Sequence, residues 1–422
     1  MRISVIGLGK LGAPMLAVFV SGGHFVIGVD KNQETVKKIN SRVAPVEEPG
    51  LGQLLRGRDN PRFRTPFHYE ATTDIADAIQ RTDITFIIVP TPSLRDGSFS
   101  TDLVGIAAAE IGAALKTKTT RHIVVLTSTV LPGDTEGRIQ KILEATSGKK
   151  VSADFGLCYN PEFVALGSVI HDLQHPDFLL IGESDKESGN KLVEFYNTFI
   201  QNNPPVQRMK IIEAELVKIA VNTYITMKIS YANFLGAICT EIGADVDTVT
   251  SAVGKDSRVT PKYLRSGGPY GGPCFPRDNR AIAYAAKKVG VHPYLPMATD
   301  MVNDQTLNRI LGTILTNSRK DKLSVGILGL AYKPETGVTD ESLGTKLVSL
   351  LARTNIAVRA GGPGEGTNDV LGADIVVFAN PCKEFDKLIA KWEDKIVLDP
   401  WGRFPEYKNV AKKYYSFGRG GK

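Results

Sequence analysis

The sequence predicts an α/β protein in which two units of alternating strands and helices flank a long central helix. Three observations lead to that reading. Apolar runs of strand length recur through the N-terminal half with helical patterns between them: Ile3–Ile6, Phe25–Val29, Ile84–Val89, Ile123–Leu126 and Phe178–Ile181. Such alternation builds a parallel sheet covered on both faces by helices. From Ile211 to Ile242 the pattern becomes one uninterrupted helix, with Leu216, Ile219, Ala220, Thr223, Met227 and Ser230 at helical spacing. A helix of that length can bridge two domains or pair with a second subunit. A second α/β unit then opens with the strand Ser324–Leu330 and continues through Asp374–Phe378 and Lys395–Leu398.

These elements divide the chain at residues 1–203, 204–317 and 318–422. A length of 422 residues exceeds one ordinary core and suits such a division. In the middle part, a Gly/Pro-rich loop runs from Ser266 to Pro276, and a further helix from about Pro293 to Asn317. The polar stretch Asn317–Lys322 reads as a linker. The tail Gly418–Lys422 has nothing to bury and reads as loose.

Composition narrows the class. Hydrophobic content of 42% with 23% charged residues is that of a soluble globular protein. The net charge of +6 is scattered, with no arginine-rich arm, which argues against a nucleic-acid partner. A mildly positive field suits a small anionic substrate. Cys158, Cys239, Cys274 and Cys382 lie far apart and form no CxxC pair, so neither a metal site nor a disulfide framework is expected. That usage fits a reducing compartment. No basic segment leads into an apolar one, and no apolar stretch approaches membrane-spanning length. The expectation is a cytoplasmic protein without a membrane partner.

The first strand ends in Gly7-Leu8-Gly9-Lys10-Leu11-Gly12, a GxGxxG that opens a helix. Gly7 allows the tight turn, Gly9 lets a pyrophosphate approach the backbone, and Gly12 permits close helix–strand packing. The phosphates would lie at the helix N-terminus, where unpaired N–H groups favour negative charge. Asp30 closes the second strand about twenty residues on, as a dinucleotide-binding Rossmann unit requires. Its carboxylate would bond the ribose hydroxyls and repel a 2′-phosphate, which favours NAD over NADP. His24, between helix and strand, reads as a surface turn residue. Gly326 and Gly329 lack a third glycine at the required spacing and read as a plain strand–turn.

The most informative stretch is Gly271-Gly272-Pro273-Cys274-Phe275-Pro276-Arg277-Asp278. A cysteine between glycines and prolines sits in a rigid loop with open backbone approach, a setting for a nucleophile. The other three cysteines read as small buried apolar residues.

With this loop the chain resembles the UDP-glucose/GDP-mannose dehydrogenase family. Seven further blocks occur in the family's order: Glu48-Pro49-Gly50-Leu51, Val89-Pro90-Thr91-Pro92, Ser128-Thr129-Val130, Asn160-Pro161-Glu162-Phe163, Glu215-Leu216-Val217-Lys218 with Asn222, Asp256-Ser257-Arg258-Val259, and Tyr332-Lys333-Pro334. The resemblance implies an N-terminal Rossmann domain, a central helical region that dimerises, and a C-terminal Rossmann-like domain that binds the nucleotide sugar. It implies NAD as cofactor, held by Gly7, Gly9, Lys10, Leu11, Gly12, Asp30, Thr91 and Thr129. The reaction would take a sugar C6 alcohol through an aldehyde to an acid.

An aldehyde cannot lose hydride directly to give an acid, so a nucleophile must add first. By resemblance that nucleophile is Cys274. Lys218 and Asn222, four residues apart on one helix face, would meet the developing oxyanion. Asp278 and Thr129 would handle protons and water, and Glu162 would assist thioester hydrolysis. Lys218 and Asp278 both stand as the first-step base. Glu162, Phe163, Lys218, Asn222, Arg258, Tyr263, Arg265, Gly271 and Lys333 would contact the substrate. In the family the arginine matching Arg258 reaches in from a neighbouring subunit, which implies a homodimer.

The chain also departs from the family. Leu166 replaces a glutamate, Thr127 a charged residue, and Asp340 an arginine before Glu341-Ser342, while Asp399-Pro400-Trp401-Gly402-Arg403 stands for a DGRN element. Leu166 and Asp340 are expected near the nicotinamide and the cofactor phosphates. The cysteine loop is nearer to the family's UDP-glucose version, so UDP-glucose is the expected substrate and UDP-glucuronate the product. A UDP-N-acetylhexosamine, dTDP-glucose and GDP-mannose are the alternatives, and a catalytically silent nucleotide-sugar-binding protein is the reading from another class.

Overall fold

A computed structural model describes residues 1–57, 68–321, 323–334, 336–362, 367–385, 388 and 392–419. The chain forms two compact units, Met1–Ile219 and Ala220–Lys422.

The first unit is built on eight strands: β1 (Arg2–Ile6), β2 (Phe25–Val29), β3 (Tyr69–Thr72), β4 (Ile84–Ile87), β5 (Ile123–Leu126), β6 (Gly156–Tyr159), β7 (Leu179–Glu183) and β8 (Val206–Met209). They lie in the order β3-β2-β1-β4-β5-β6-β7-β8. Strand residues alternate between two cores, as pleated geometry demands. Val5 and Phe86 face one side with Phe19 and Phe195, while Ile6 and Ile87 face the other with Ile111 and Leu143. All the pairings are parallel except one: β7 runs antiparallel to β6, which corrects the expectation of a parallel sheet. After β6 the chain stays at that strand's carboxyl end, through residues 160–168 and the short helix Val169–Gln174, and makes no crossover. The Asn160–Phe163 segment is thereby held at the carboxyl end of the sheet.

His24 is a second correction. It is buried, with Nδ1 3.1 Å from the Met1 amine and Nε2 2.8 Å from Thr198 Oγ1. Burial and the nearby ammonium lower its pKa to about 4.

The second unit holds most of the helix Ile211–Ile242, then helices Val246–Lys255, Phe275–Lys288 and Tyr294–Asp321. Its sheet comprises β9 (Val325–Leu328), β10 (Val358–Gly361), β11 (Ile375–Phe378), β12 (Ile396–Leu398) and β13 (Lys413–Tyr415), all parallel, in the order β10-β9-β11-β12-β13. One face packs Ile327, Leu347 and Val377 with Ile310 and Ile314; the other stacks Phe378 on Trp392, beside Phe404 and Tyr407. Gly329 turns at φ +94°, and a Cβ on Gly344 would lie 2.5 Å from its carbonyl oxygen. Gly344 therefore gives the close helix–strand approach for which the sequence shows no glycine at the usual spacing.

The expected linker is not there. The helix Tyr294–Asp321 runs through it, because Ile310 and Ile314 bury against the sheet and carry the helix onward; Lys322 lies outside the described residues. Nor are the described tail residues Gly418 and Arg419 loose. Arg419 donates to both Asp247 carboxylate oxygens, at 2.6 and 3.1 Å, and to the carbonyls of Ser266 and Pro400. Residues 420–422 lie outside the described residues. On the long helix, Leu216 is 47% exposed and does not join the buried face expected for it. Within the second unit, beside buried Ala232 and Cys239, the helix turns polar residues inward: half-buried Asn222 meets Asp278, Thr226 meets Asn279, Ser230 the Thr299 carbonyl, and Asn233 the Gly268 carbonyl. Among the described residues no helix is long and apolar enough to cross a membrane, and no three side chains gather as a metal site.

Candidate functional site

In the first unit, Gly7 takes φ +97°, and a Cβ there would lie 2.5 Å from the Ile88 carbonyl oxygen. A Cβ on Gly12 would collide with the Gly7 carbonyl, so the helix Gly12–Ser21 can start only this close to the strand with glycine in place. At Gly9 nothing lies within 4 Å of an added Cβ. That open backbone, beside exposed Lys10 and half-buried Leu11, is the approach a pyrophosphate needs. Asp30 Oδ2 accepts from Leu8 N at 2.8 Å and Oδ1 from Asn32 N at 2.9 Å. An ionised carboxylate has about four acceptor sites, so capacity remains for ribose hydroxyls. The residues present fit NAD.

Thr91 Oγ1 donates to the Thr129 carbonyl at 2.7 Å, and Ser128 Oγ to the Val89 carbonyl at 2.7 Å. Two segments singled out in the sequence are thus pinned together beyond the ends of β4 and β5. Glu215, fully buried, accepts from Gly133 N at 2.5 Å and Thr135 N at 2.8 Å, fixing the loop that follows Thr129. Burial pushes its carboxyl up to about 7 against those hydrogen bonds. Glu48 accepts from Gly167 N at 3.2 Å, which ties down the loop after Phe163. Leu166 packs at the edge of the first core.

Lys218 Nζ donates to the Glu162 carbonyl at 2.6 Å and stands 4.5 Å from the centre of the Phe163 ring, which packs on Phe178. The Glu162 side chain lies 2.9 Å from the Tyr196 hydroxyl. Burial pushes Glu162 up to about 7, with Tyr196 and the Lys218 ammonium opposing. A carboxyl near 7 is matched to proton transfer at neutral pH.

In the second unit, Cys274 is the N-cap of the helix Phe275–Lys288, with Pro276 in its first turn. It is exposed, while Cys158, Cys239 and Cys382 are buried. A helix N-terminus favours a thiolate. Gly272 takes φ +82°, where a Cβ would strike the Tyr332 ring at 2.6 Å, and Gly272 N donates to the Asp340 carbonyl at 2.9 Å. A Cβ on Gly271 would strike the Glu341 carbonyl. Asp278, one turn into the helix and buried, accepts from Asn222 Nδ2 at 2.6 Å. Tyr263, held at φ +64°, lies edge-on to Phe275 at 6.5 Å. A non-glycine residue in the left-handed region is strained, and such strain gathers at functional sites. Arg265 reaches the Trp401 carbonyl at 3.3 Å, Lys333 is exposed, and Arg258 projects with its side chain 86% exposed, paired to Asp256.

Sequence reasoning missed the residues that hold the cysteine loop. Asn233 accepts from Gly267 N and donates to the Gly268 carbonyl; Asn303 does the same for Tyr270. The Trp401 ring fills the space that side chains on Gly267 and Gly268 would need. One signal was present: Asn222 and Asn233 are eleven residues apart, three helical turns, and so share a face.

The model of the UDP-glucose/GDP-mannose dehydrogenase family's NAD binding domain matches residues 1–200, and that of its central domain matches residues 212–305. A UDP-glucose 6-dehydrogenase of Haloferax volcanii is 34% identical over 415 residues, covering 96% of this chain and 92% of the relative. A GDP-mannose 6-dehydrogenase of Pseudomonas savastanoi is 35% identical over 354 residues, covering 83% of this chain and 78% of the relative. A solved UDP-glucose dehydrogenase of Pyrobaculum islandicum superposes with a TM-score of 0.87 at 30% identity, covering 99% of this chain and 98% of the other. The Gly7–Gly12 cradle, Asp30 and the two domain matches agree: the chain belongs to the UDP-glucose/GDP-mannose dehydrogenase family and uses NAD as its cofactor.

Proposed function

We propose that the chain oxidises the C6 alcohol of UDP-glucose to the carboxylate, removing four electrons through a cysteine-bound intermediate. The observation that carries this reading is exposed Cys274 at a helix N-terminus, with buried Asp278 one turn on, bonded to Asn222. NAD, when bound, accepts one hydride at each of the two oxidations. Lys218 or Asp278 takes the alcohol proton in the first. The Cys274 thiol then adds across the aldehyde carbonyl, its sulfur to carbon and its proton to oxygen, giving a thiohemiacetal. Loss of hydride and of the hydroxyl proton leaves a thioester. Water held by Thr129 and activated by Glu162 attacks it, releasing the acid and restoring the thiol.

Asn222 has a second N–H beyond the one given to Asp278, and the Lys218 ammonium, which donates to the Glu162 carbonyl, carries a positive charge; both are assigned to the oxyanion. Phe163, Arg258, Tyr263, Arg265, Gly271 and Lys333 are assigned to the nucleotide sugar. The partner is a second copy of the chain: Tyr231, Phe234, Ile238, Tyr294 and Met301 are exposed apolar residues of the helical region, and Arg258 projects outward. Four free cysteines fit a cytoplasmic setting.

The choice of UDP-glucose is supported by the names of the Haloferax and Pyrobaculum proteins, while the Pseudomonas relative is named for GDP-mannose. A panel of UDP-glucose, dTDP-glucose, UDP-N-acetylhexosamines and GDP-mannose, each limiting, tests it. Two NADH per UDP-glucose with little free aldehyde is the expected result. Preference for another sugar would move the substrate assignment, and one NADH with an aldehyde product would remove the four-electron chemistry. No turnover of any member would leave a binding protein.

A further inference from the structure

The Tyr196 hydroxyl has one proton and two oxygen neighbours, Asn160 Oδ1 and Glu162 Oε1. Asn160 decides where that proton goes. Its Nδ2 donates to the Leu180 carbonyl at 2.8 Å, so its other terminal atom, facing Tyr196, is the oxygen. Turning the amide over would set two oxygens against each other at Leu180. Asn160 is 2% exposed and Tyr196 1% exposed, so bulk water cannot supply a substitute partner. Asn160 Oδ1 can only accept; Tyr196 must donate to it. The contact between Tyr196 and Glu162 at 2.9 Å then needs its proton from the carboxyl.

We propose that Tyr196 is a positioning residue for Glu162, its oxygen accepting a hydrogen bond from the carboxyl O–H while its own O–H donates to Asn160, so that Glu162 rests as the acid. The chain of donors runs from Glu162 to Tyr196, Asn160 and the Leu180 carbonyl. Among the described residues, the titratable groups acting on Glu162 are Tyr196, from the helix Lys186–Tyr196, and Lys218, from the long helix. Burial favours the acid form too, raising the carboxyl to about 7 even against a hydrogen bond that Tyr196 would give the carboxylate and against the Lys218 ammonium. The bearing on catalysis rests on the role given above to Glu162 in thioester hydrolysis: the residue must release this proton before it can activate water, and Tyr196 sets the pH at which it does.

Infrared difference spectroscopy of the full chain, with glutamate carboxyls labelled by carbon-13, reads the proton directly and needs no turnover. The wild type should show a protonated carboxyl band at pH 6 that is absent from Glu162→Gln and titrates near 7. Tyr196→Phe removes the acceptor of that proton, and Asn160→Ala frees the tyrosine proton to turn toward the carboxylate. Each should lower the midpoint by about one unit, the size of one hydrogen bond. In stopped-flow assays, the pH profile of acyl-enzyme decay should move with it while the substrate KM stays in place. A residue that only packs would slow decay equally at every pH. Absence of the wild-type band, or a midpoint unmoved in whichever of the two variants folds, overturns the proposal. A shifted midpoint in a chain that turns over no sugar would uphold the proton arrangement and sink only the function.

Discussion

Asn222 Nδ2 lies 2.6 Å from Asp278 Oδ2, joining the long helix to the first turn of the cysteine helix. The contact positions the amide, whose second N–H is the one available to an oxyanion. Asn222→Ala should therefore lower kcat by about 10²–10³, the usual cost of one such donor, with little change in KM. Steady-state kinetics on the preferred sugar checks this. A rise in KM alone would assign Asn222 to uniform substrate binding.

Cys274 is exposed and the other three cysteines are buried, Cys158 with its thiol pushed well above the usual range by burial. Alkylation followed by peptide mass spectrometry should mark Cys274 first, and bound substrate should protect it. Cys274→Ala should bind NAD and the sugar nucleotide yet make little acid. Cys274→Ser can still add, but its ester is a poorer acyl donor, so a mass increase on the peptide holding residue 274 should accumulate when cofactor and substrate are both present. Near-normal acid production by Cys274→Ala would end the covalent reading.

Asp30 stands at the carboxyl end of β2, bonded to Leu8 N in the glycine turn. Asp30→Ala should weaken NAD and ease NADP, narrowing the preference between them. The ratio of kcat/KM for the two cofactors measures it, and an unchanged ratio would take Asp30 away from the ribose.

Glu215 offers a test by stability. Its folded pKa is raised by burial from 4.5 to about 7, so between those values the folded chain binds more proton than the unfolded one. Stability contributed by this group therefore falls as pH rises from about 4.5 to 7 and is level above that. The full change is on the order of 3 kcal/mol. Glu215→Gln cannot titrate and should lack this dependence. Urea unfolding of both proteins at pH 5 and pH 8 should show the variant gaining on the wild type at the higher pH, whatever its cost at the lower.

Strands such as Phe25–Val29 and Ile123–Leu126 were legible because short apolar, β-branched runs between polar residues have few other readings, and they fall where the sequence puts them. The cysteine loop was legible from composition alone. What supports it was not. Asn222, Thr226, Ser230 and Asn233 form a polar stripe that a search for apolar periodicity passes over, since their burial depends on partners elsewhere in the chain. Tyr196 closes an amphipathic helix and reads as one more core aromatic until Asn160 and Glu162 are brought to it. At Asn317–Lys322 local polarity suggested a linker, but the apolar face of Ile310 and Ile314 decides how far that helix runs.

Arg419 meets Asp247 across 172 residues of sequence and also holds the Ser266 carbonyl at the start of the cysteine loop. Contacts of such separation form late, because the intervening chain must first be brought to order. On the ribosome the loop that carries Cys274 is made well before the arginine that braces it. The nucleophile's surroundings are then completed by one of the last described residues to emerge, and a nascent chain stalled short of residue 419 would carry its cysteine in a loop still lacking that brace.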